Sequence, residues 1–262
     1  MVQTLAAVKK QELVQTIPFV GGEFSADNGP LFGVTNPYDG SELTKVMATT
    51  ESQLSVAFEN SQDAFDRFKK TTPRWRSTLL RKLNDAILAN ADDLARLISL
   101  ENGKPLADSL GEVKYGASFM EWFAEEAPRI NGLLIGSADP SKRISAYRLP
   151  VGPVGILTPW NFPLAMITRK LGAALAAGCT TVIKPASDTP LTALAFAKLC
   201  QDIDLPSGVV NIVPVEEART PDFGRRFCEA AELKKISFTG STRVGKLLLQ
   251  QSGYLIYGLL IT

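Results

Sequence analysis

The sequence predicts an α/β fold, a parallel sheet flanked by helices, on three observations. Candidate strands begin near Gly152, Thr180, Gly208 and Lys235, at steps of 28, 28 and 27 residues. Helical patterns fill the gaps, and strand-helix alternation at this spacing is the signature of βαβ units. The strands are continuous apolar runs, such as Thr181-Val182-Ile183 and Val209-Val210-Asn211-Ile212-Val213, which suit a sheet covered on both faces.

Residues 18–48 read as short strands and turns, with turn signals at Gly21-Gly22, Asn28-Gly29-Pro30, Asn36-Pro37 and Asp39-Gly40. From Glu51 the pattern becomes helical, with Leu54, Phe58, Phe65 and Phe68 on one face. Pro73 opens a second helix with Leu79, Leu80, Leu83, Ile87 and Leu88 as its stripe. A third carries Leu94, Leu97, Ile98 and Leu100 and stops at Gly103 and Pro105. A fourth runs from about Ser109 to Arg129. Its core face is read as Val113, Tyr115, Phe119, Met120 and Phe123, with Trp122 beside it.

Residues 136–149 change character again, and Arg143 to Arg148 read as an extended arm able to pair with another domain or subunit. The later helices are expected at about 162–177, 190–203, 221–231 and after Thr242. This divides the chain into strands and helices (1–135), an arm (136–150), βα units (151–253) and a tail (254–262).

Composition excludes several classes of function. The 28 basic and 27 acidic residues are interspersed, for a net charge of +1, so no nucleic-acid face or membrane-seeking patch is expected. There is no histidine, which removes His-based triads and His metal sites, and no metal is expected. Cys179, Cys200 and Cys228 are widely spaced and read as buried or structural thiols in a reducing compartment. The N-terminus has no arginine before Arg67 and no apolar segment of the signal-peptide kind. A cytoplasmic setting is expected, with a mitochondrial one left open.

Polar and unusual residues follow the strands directly. Thr158-Pro159-Trp160-Asn161 follows the first, Lys184-Pro185-Ala186-Ser187 the second and Thr239-Gly240-Ser241-Thr242 the fourth. Open parallel sheets bind ligands at the carboxyl ends of their strands, so three loops converge on one crest. Each residue also has a plainer reading. Asn161 suits a helix N-cap ahead of Pro163, Lys184 is a charge leaving a buried strand, and Ser187 or Thr189 suits the cap of the helix at Pro190. Gly240 to Gly245 is not a GxGxxG fingerprint, but it sets small residues and free amides at a helix N-terminus, where a pyrophosphate fits.

At these positions the sequence resembles the aldehyde dehydrogenase superfamily. The motifs are Pro159-Trp160-Asn161-Phe162-Pro163, Lys184-Pro185-Ala186-Ser187, Phe238-Thr239-Gly240-Ser241, Glu101-Asn102-Gly103-Lys104-Pro105-Leu106 and Gly111-Glu112. Residues 121–127 and Met166-Ile167-Thr168-Arg169-Lys170 look like the succinate-semialdehyde dehydrogenases within it. The resemblance runs from about Phe19 to Gly253. It implies the Rossmann-like N-terminal domain of that superfamily, with NAD or NADP as cofactor and a small aldehyde as substrate.

Residue roles follow from the resemblance. Asn161 resembles the amide that donates to a developing oxyanion, worth ~3 kcal/mol in typical acyl-transfer sites. Lys184 resembles the lysine at the adenosine ribose. Ser187 stands where NAD-preferring relatives often carry glutamate, so it points to tolerance of NADP. Gly240, Ser241 and Gly245 resemble the pyrophosphate-facing loop, with Thr242 beside it, and Thr158, Pro159, Trp160, Pro185 and Ala186 complete the cofactor set. Arg169 resembles the arginine that pairs with a substrate carboxylate, for which its planar fork is suited; an ordinary helix arginine is the plainer reading.

In the superfamily a cysteine attacks the aldehyde and a glutamate in a Glu-Leu-Gly-Gly stretch activates water, both downstream of the Thr-Gly-Ser loop. Residues 254–262 do not resemble that continuation. The expectation is a chain that stops before its catalytic half and is inactive alone toward succinate semialdehyde. Two alternatives stand beside it. One is a non-catalytic dinucleotide-binding or subunit-interaction module, forming a homo-oligomer or joining a full-length paralogue. The other is a relative acting on another aliphatic aldehyde.

Overall fold

The computed structural model describes residues 4–253 and 258–261. In chain order its elements are β1 (Phe19–Val20), β2 (Glu23–Phe24), β3 (Leu31–Thr35), β4 (Glu42–Met47), α1 (Glu51–Phe68), α2 (Pro73–Ala89), α3 (Ala91–Asn102) and α4 (Leu106–Glu126). There follow β5 (Leu133–Ile135), β6 (Ile144–Ala146), β7 (Val154–Leu157), α5 (Ala165–Ala177), β8 (Thr181–Lys184) and α6 (Pro190–Asp202). The last are β9 (Val210–Ile212), α7 (Thr220–Glu229), β10 (Lys235–Phe238), α8 (Thr242–Ser252) and β11 (Gly258–Ile261).

The central sheet has the order β11-β10-β7-β8-β9-β1-β2. β7 to β11 run parallel, and the β1–β2 hairpin continues the sheet antiparallel beyond β9. The four expected strands lie where the 28-residue spacing put them. A fifth parallel strand was not expected. The tail supplies β11, with Lys235 opposite Gly258 and Phe238 opposite Ile261. A continuous apolar run after a helix is itself the pattern of a further buried strand.

Side-chain alternation divides the core between the two faces of the sheet. Ile156, Ile183 and Ile212 point to one face, packed with α2 to α6. Leu157, Val182, Ile236 and Phe238 point to the other, where Leu54 and Phe58 of α1 meet Phe223 and Phe227 of α7 and Leu248 of α8. Each fully buried side chain such as Phe196 or Phe223 contributes roughly 1.5–3 kcal/mol through the area it removes from water.

The helices expected from Glu51 and Pro73 and the stop expected at Gly103 form, and the structure adds the caps of the first two. Thr50 and Gln53 form a reciprocal capping box on α1, Thr72 caps α2 ahead of Pro73, and α3 ends at Gly103 with φ +78°. The fourth helix starts earlier than expected, at Leu106, and stops at Glu126. Its core face is also corrected: Tyr115 is exposed and Phe119 and Phe123 are half-buried. The inward stripe is instead Ser109, Glu112, Val113, Gly116, Ala117, Met120 and Ala124, because α5 lies close enough to demand small residues. Leu88 is likewise exposed.

The arm is one half of a hairpin. β6 pairs antiparallel with β5, Leu134 opposite Ser145, so the projecting unit begins before residue 136. Every residue of both strands is exposed.

Candidate functional site

β7, β8 and β10 end at the same height, since Leu157 is paired with both Lys184 and Phe238. The Thr158 amide donates to the Lys184 carbonyl at 3.2 Å, and the Thr239 amide donates to the Leu157 carbonyl at 3.2 Å. The loops that follow therefore leave the sheet side by side. The strand order reverses between β7 and β10, with α5 on one face and α7 and α8 on the other, which makes this the switch point where open α/β sheets bind ligands.

The expected crest residues occupy it as follows. Thr158 is buried, Pro159 half-buried, and Trp160 and Asn161 are exposed, with no hydrogen bond from the Asn161 side-chain amide among the described residues. Pro185 is buried, Ala186 and Ser187 are half-buried, and Gly240, Ser241 and Thr242 are exposed. Ser241 caps α8, its hydroxyl accepting from the Val244 amide at 3.4 Å. Gly245 stands apart from the expectation. It is buried, and its amide already donates to the Ser241 carbonyl at 3.0 Å, so it supplies packing rather than a free donor.

Lys184 is 5% exposed, and its Nζ donates to the Pro185 carbonyl at 3.0 Å. Burial pushes its ammonium down to about 8, opposed by the neighbouring Asp188 carboxylate.

The N-caps read from the sequence beside the crest do not form. α5 begins at Ala165, three residues later than Phe162, and Asn161 does not cap it. The Leu164 and Ala165 amides donate instead to Oε1 of Glu112, at 3.0 and 3.3 Å. Thr189 stands at the N-cap of α6 without a side-chain bond, and the Leu191 and Thr192 amides donate to the Glu101 carboxylate at 2.7 and 2.8 Å. Orphan amides at helix N-termini take any carboxylate in reach, and both come here from the α3–α4 region.

Between these carboxylates, Asn102 Nδ2 donates to the Trp160 carbonyl at 2.8 Å. Lys104 Nζ donates to Glu112 Oε2 at 2.5 Å and to the Asn161 carbonyl at 2.9 Å, and lies 4.1 Å from the Phe162 ring centroid. These motif residues were noticed in the sequence without a role. A signal was present, since Glu112 sits on the buried stripe of α4, where an unpaired glutamate would be costly.

Arg169 lies elsewhere. With Phe123, Lys170, Lys235 and Ser237 it lines a cavity of about 480 Å³ beside α5, whose lining includes none of the crest residues. Its guanidinium sits 5.9 Å from the Phe119 ring centroid, and Phe119 in turn packs edge-on against Tyr115. Lys170, missed by sequence reasoning, is buried and donates to Ser237 Oγ at 2.9 Å; burial and the adjacent Arg169 charge hold it at about 8. All three cysteines are free and buried, and burial pushes each thiol up, Cys228 to about 11.

The crest fits a dinucleotide. The buried Lys184 ammonium has three donors and one hydrogen-bond partner among the described residues, leaving donors for a ribose. The Thr242 and Arg243 amides open α8 without a partner among the described residues, as an anion requires. A Cβ on Gly240 would meet the Phe238 ring at 2.4 Å, so any larger residue here would have to displace that ring.

Comparison with known proteins agrees with this geometry. The model of the aldehyde dehydrogenase family matches residues 24–259. The NADP(+) succinate-semialdehyde dehydrogenase of Saccharomyces cerevisiae is 46% identical over 234 residues, covering 89% of this chain and 47% of that protein. The mitochondrial succinate-semialdehyde dehydrogenase of Homo sapiens is 43% identical over 240 residues, covering 92% and 45%. A crystal structure of succinate-semialdehyde dehydrogenase from Burkholderia pseudomallei superimposes with a TM-score of 0.93 at 40% identity, over 97% of this chain and 52% of that one. The chain thus spans about half the length of the relatives it matches. No helix among the described residues is long and apolar enough to cross a membrane.

Proposed function

Because the chain belongs to the aldehyde dehydrogenase family, we propose that its crest binds NAD or NADP and that it serves the oxidation of an aldehyde, with succinate semialdehyde the favoured substrate. The observation that carries this reading is the level ending of β7, β8 and β10 at the switch point, with buried Lys184 on one side and the α8 N-terminus on the other.

In this reading Lys184 holds the adenosine ribose and Ser187 leaves room for a 2′-phosphate. Gly240, Ser241 and Thr242 present backbone amides to the pyrophosphate. Thr158, Pro159 and Trp160 form one wall, and Pro185 and Ala186 the other. The nicotinamide, when bound, supplies the hydride acceptor. Asn161 aims its side-chain amide at an oxyanion, and Arg169, in its own cavity beside α5, offers its guanidinium to a carboxylate. Thiols pushed up by burial are protonated at neutral pH, so none of Cys179, Cys200 and Cys228 serves as the attacking thiolate.

Titrating the purified chain with NADPH and following nucleotide fluorescence tests the cofactor assignment, and an unchanged spectrum at millimolar nucleotide would overturn it. Turnover of succinate semialdehyde by the same preparation would overturn the exclusion of these three thiols.

The exposed hairpin favours an accompanying assembly role. Leu133, Leu134, Tyr147 and Leu149 are exposed apolar or aromatic side chains on or beside this hairpin, Leu134 being 91% exposed. A homo-oligomer, or an assembly with a full-length paralogue, would cover it, and a monomer in sedimentation at all concentrations would count against both.

A further inference from the structure

We infer that Lys104 and Glu112 are positioning residues for the loop that presents Trp160 and Asn161, an inference whose consequence for nucleotide binding rests on the cofactor reading of the crest. Lys104 concentrates its contacts on this one segment. Its ammonium donates to the Asn161 carbonyl at 2.9 Å, covers the Phe162 ring at 4.1 Å and is neutralised by Glu112 at 2.5 Å. Glu112 is fully buried at its side chain, and its other oxygen anchors the Leu164 and Ala165 amides. The segment is therefore gripped at both ends by one ion pair, and Asn102 fixes the carbonyl one residue earlier.

Two physical points make this more than a fold contact. α5 has no side-chain cap of its own, so without Glu112 its first amides would be unsatisfied in a buried setting. A buried carboxylate needs a partner, and its partner Lys104 carries the constraint on to Asn161. The result is an exposed residue whose backbone is tied down while its side-chain amide stays uncommitted. The backbone anchor fixes where that amide starts from, which narrows the reordering needed when charge develops in front of it.

The test uses Trp160 as its own reporter, in the full chain without nucleotide, with Trp75 and Trp122 replaced by Phe. Lys104→Met keeps the Glu112 cap on α5 but removes the link to Asn161. Glu112→Gln keeps an acceptor for the α5 amides but removes the charge that holds Lys104. Both variants should lower the Trp160 anisotropy and raise its acrylamide quenching constant, on the order of twofold, as the loop gains fast motion. A parallel protein retaining only Trp122 should not change, which separates positioning from general loosening of the fold. Unchanged Trp160 signals in folded Lys104→Met overturn the inference, and so does an equal change at Trp122. If Glu112→Gln fails to fold, Lys104→Met decides alone. In a second arm, NADPH affinity should fall several-fold in Lys104→Met. An unmodified chain that does not bind NADPH refutes the cofactor reading, while Trp160 still decides the brace.

Discussion

Glu101 and Thr192 lie 91 positions apart, yet the Thr192 amide donates to Glu101 Oε1 at 2.8 Å and so fastens the start of α6 to the end of α3. The Leu191 amide takes the other oxygen at 2.7 Å. α6 follows the Lys184–Ser187 loop, so the carboxylate that caps this helix also anchors one side of the crest. Among the described residues Glu101 has no cation paired with it; the ion pair in this region belongs to Glu112 and Lys104.

That arrangement sets a pH dependence. Burial pushes the Glu101 carboxyl up from 4.5 to about 8, with a smaller contribution from the Glu112 charge, against the opposing pull of the two amides. A folded value above the unfolded one means that the native state holds the extra proton between these two values. Stability from this group is full below 4.5 and lost as pH rises toward 8, with a limiting slope of about 1.4 kcal/mol per pH unit. Glu101→Gln should flatten this part of the profile. Denaturation midpoints of variant and parent that stay parallel across the window would refute it.

The regular half of the fold was legible because its rules are local. Apolar runs such as Thr181-Val182-Ile183 and helix starts such as Pro190 repeat at fixed spacing, and the crest follows from strand ends alone. What stayed hidden depends on contacts across long separations. Glu101 and Glu112 cap helices on which they do not lie, so sequence reasoning gave those caps to the nearest polar residues, Asn161 for one and Ser187 or Thr189 for the other. Tyr115 and Phe119 matched a helical stripe, but α4 turns its small residues inward, with Gly116 facing Leu164 and Thr168 of α5. β11 escaped the sequence because no helical pattern or motif follows it, and a short apolar run alone does not distinguish a strand from other apolar segments.

Lys184 should make nucleotide binding pH-dependent. Its folded value is depressed from 10.5 to about 8, so the ammonium is present below about 8 and is lost above it. NADPH affinity should therefore weaken as pH rises through 8, while between 8 and 10.5 the fold itself gains stability from this group because the unfolded chain binds more protons. Lys184→Met should bind NADPH weakly at every pH. Retention of the parent's pH profile by this variant, read by nucleotide fluorescence, would remove Lys184 from the site.

Ser187 should govern the choice between the two nucleotides. A half-buried hydroxyl at the end of the Lys184 loop neither repels a 2′-phosphate nor bonds the ribose hydroxyls as a carboxylate would. Ser187→Glu should lower NADPH affinity by roughly tenfold or more, the ~1.4 kcal/mol that a like charge at partly buried distance readily costs. NADH affinity should hold or improve. Equal losses for both nucleotides would show that the residue acts on the loop and not on the phosphate.

Two glycines separate packing from propensity in the helical layer. Gly172 lies in α5 against α4, and an added Cβ would meet Phe123 Cδ2 at 2.7 Å and the Phe119 carbonyl at 3.3 Å. The ring can turn, but the carbonyl belongs to the backbone of α4, so Gly172→Ala must push two helices apart and should cost about 1–3 kcal/mol. Gly111 lies within α4 with nothing inside 4 Å of its would-be Cβ. Gly111→Ala should therefore stabilise, by about 0.5–1 kcal/mol, through helix propensity and a less flexible unfolded chain. Urea denaturation of the two variants reads both effects at once, and a stabilised Gly172→Ala would mean that α4 and α5 do not approach as closely as their small residues allow.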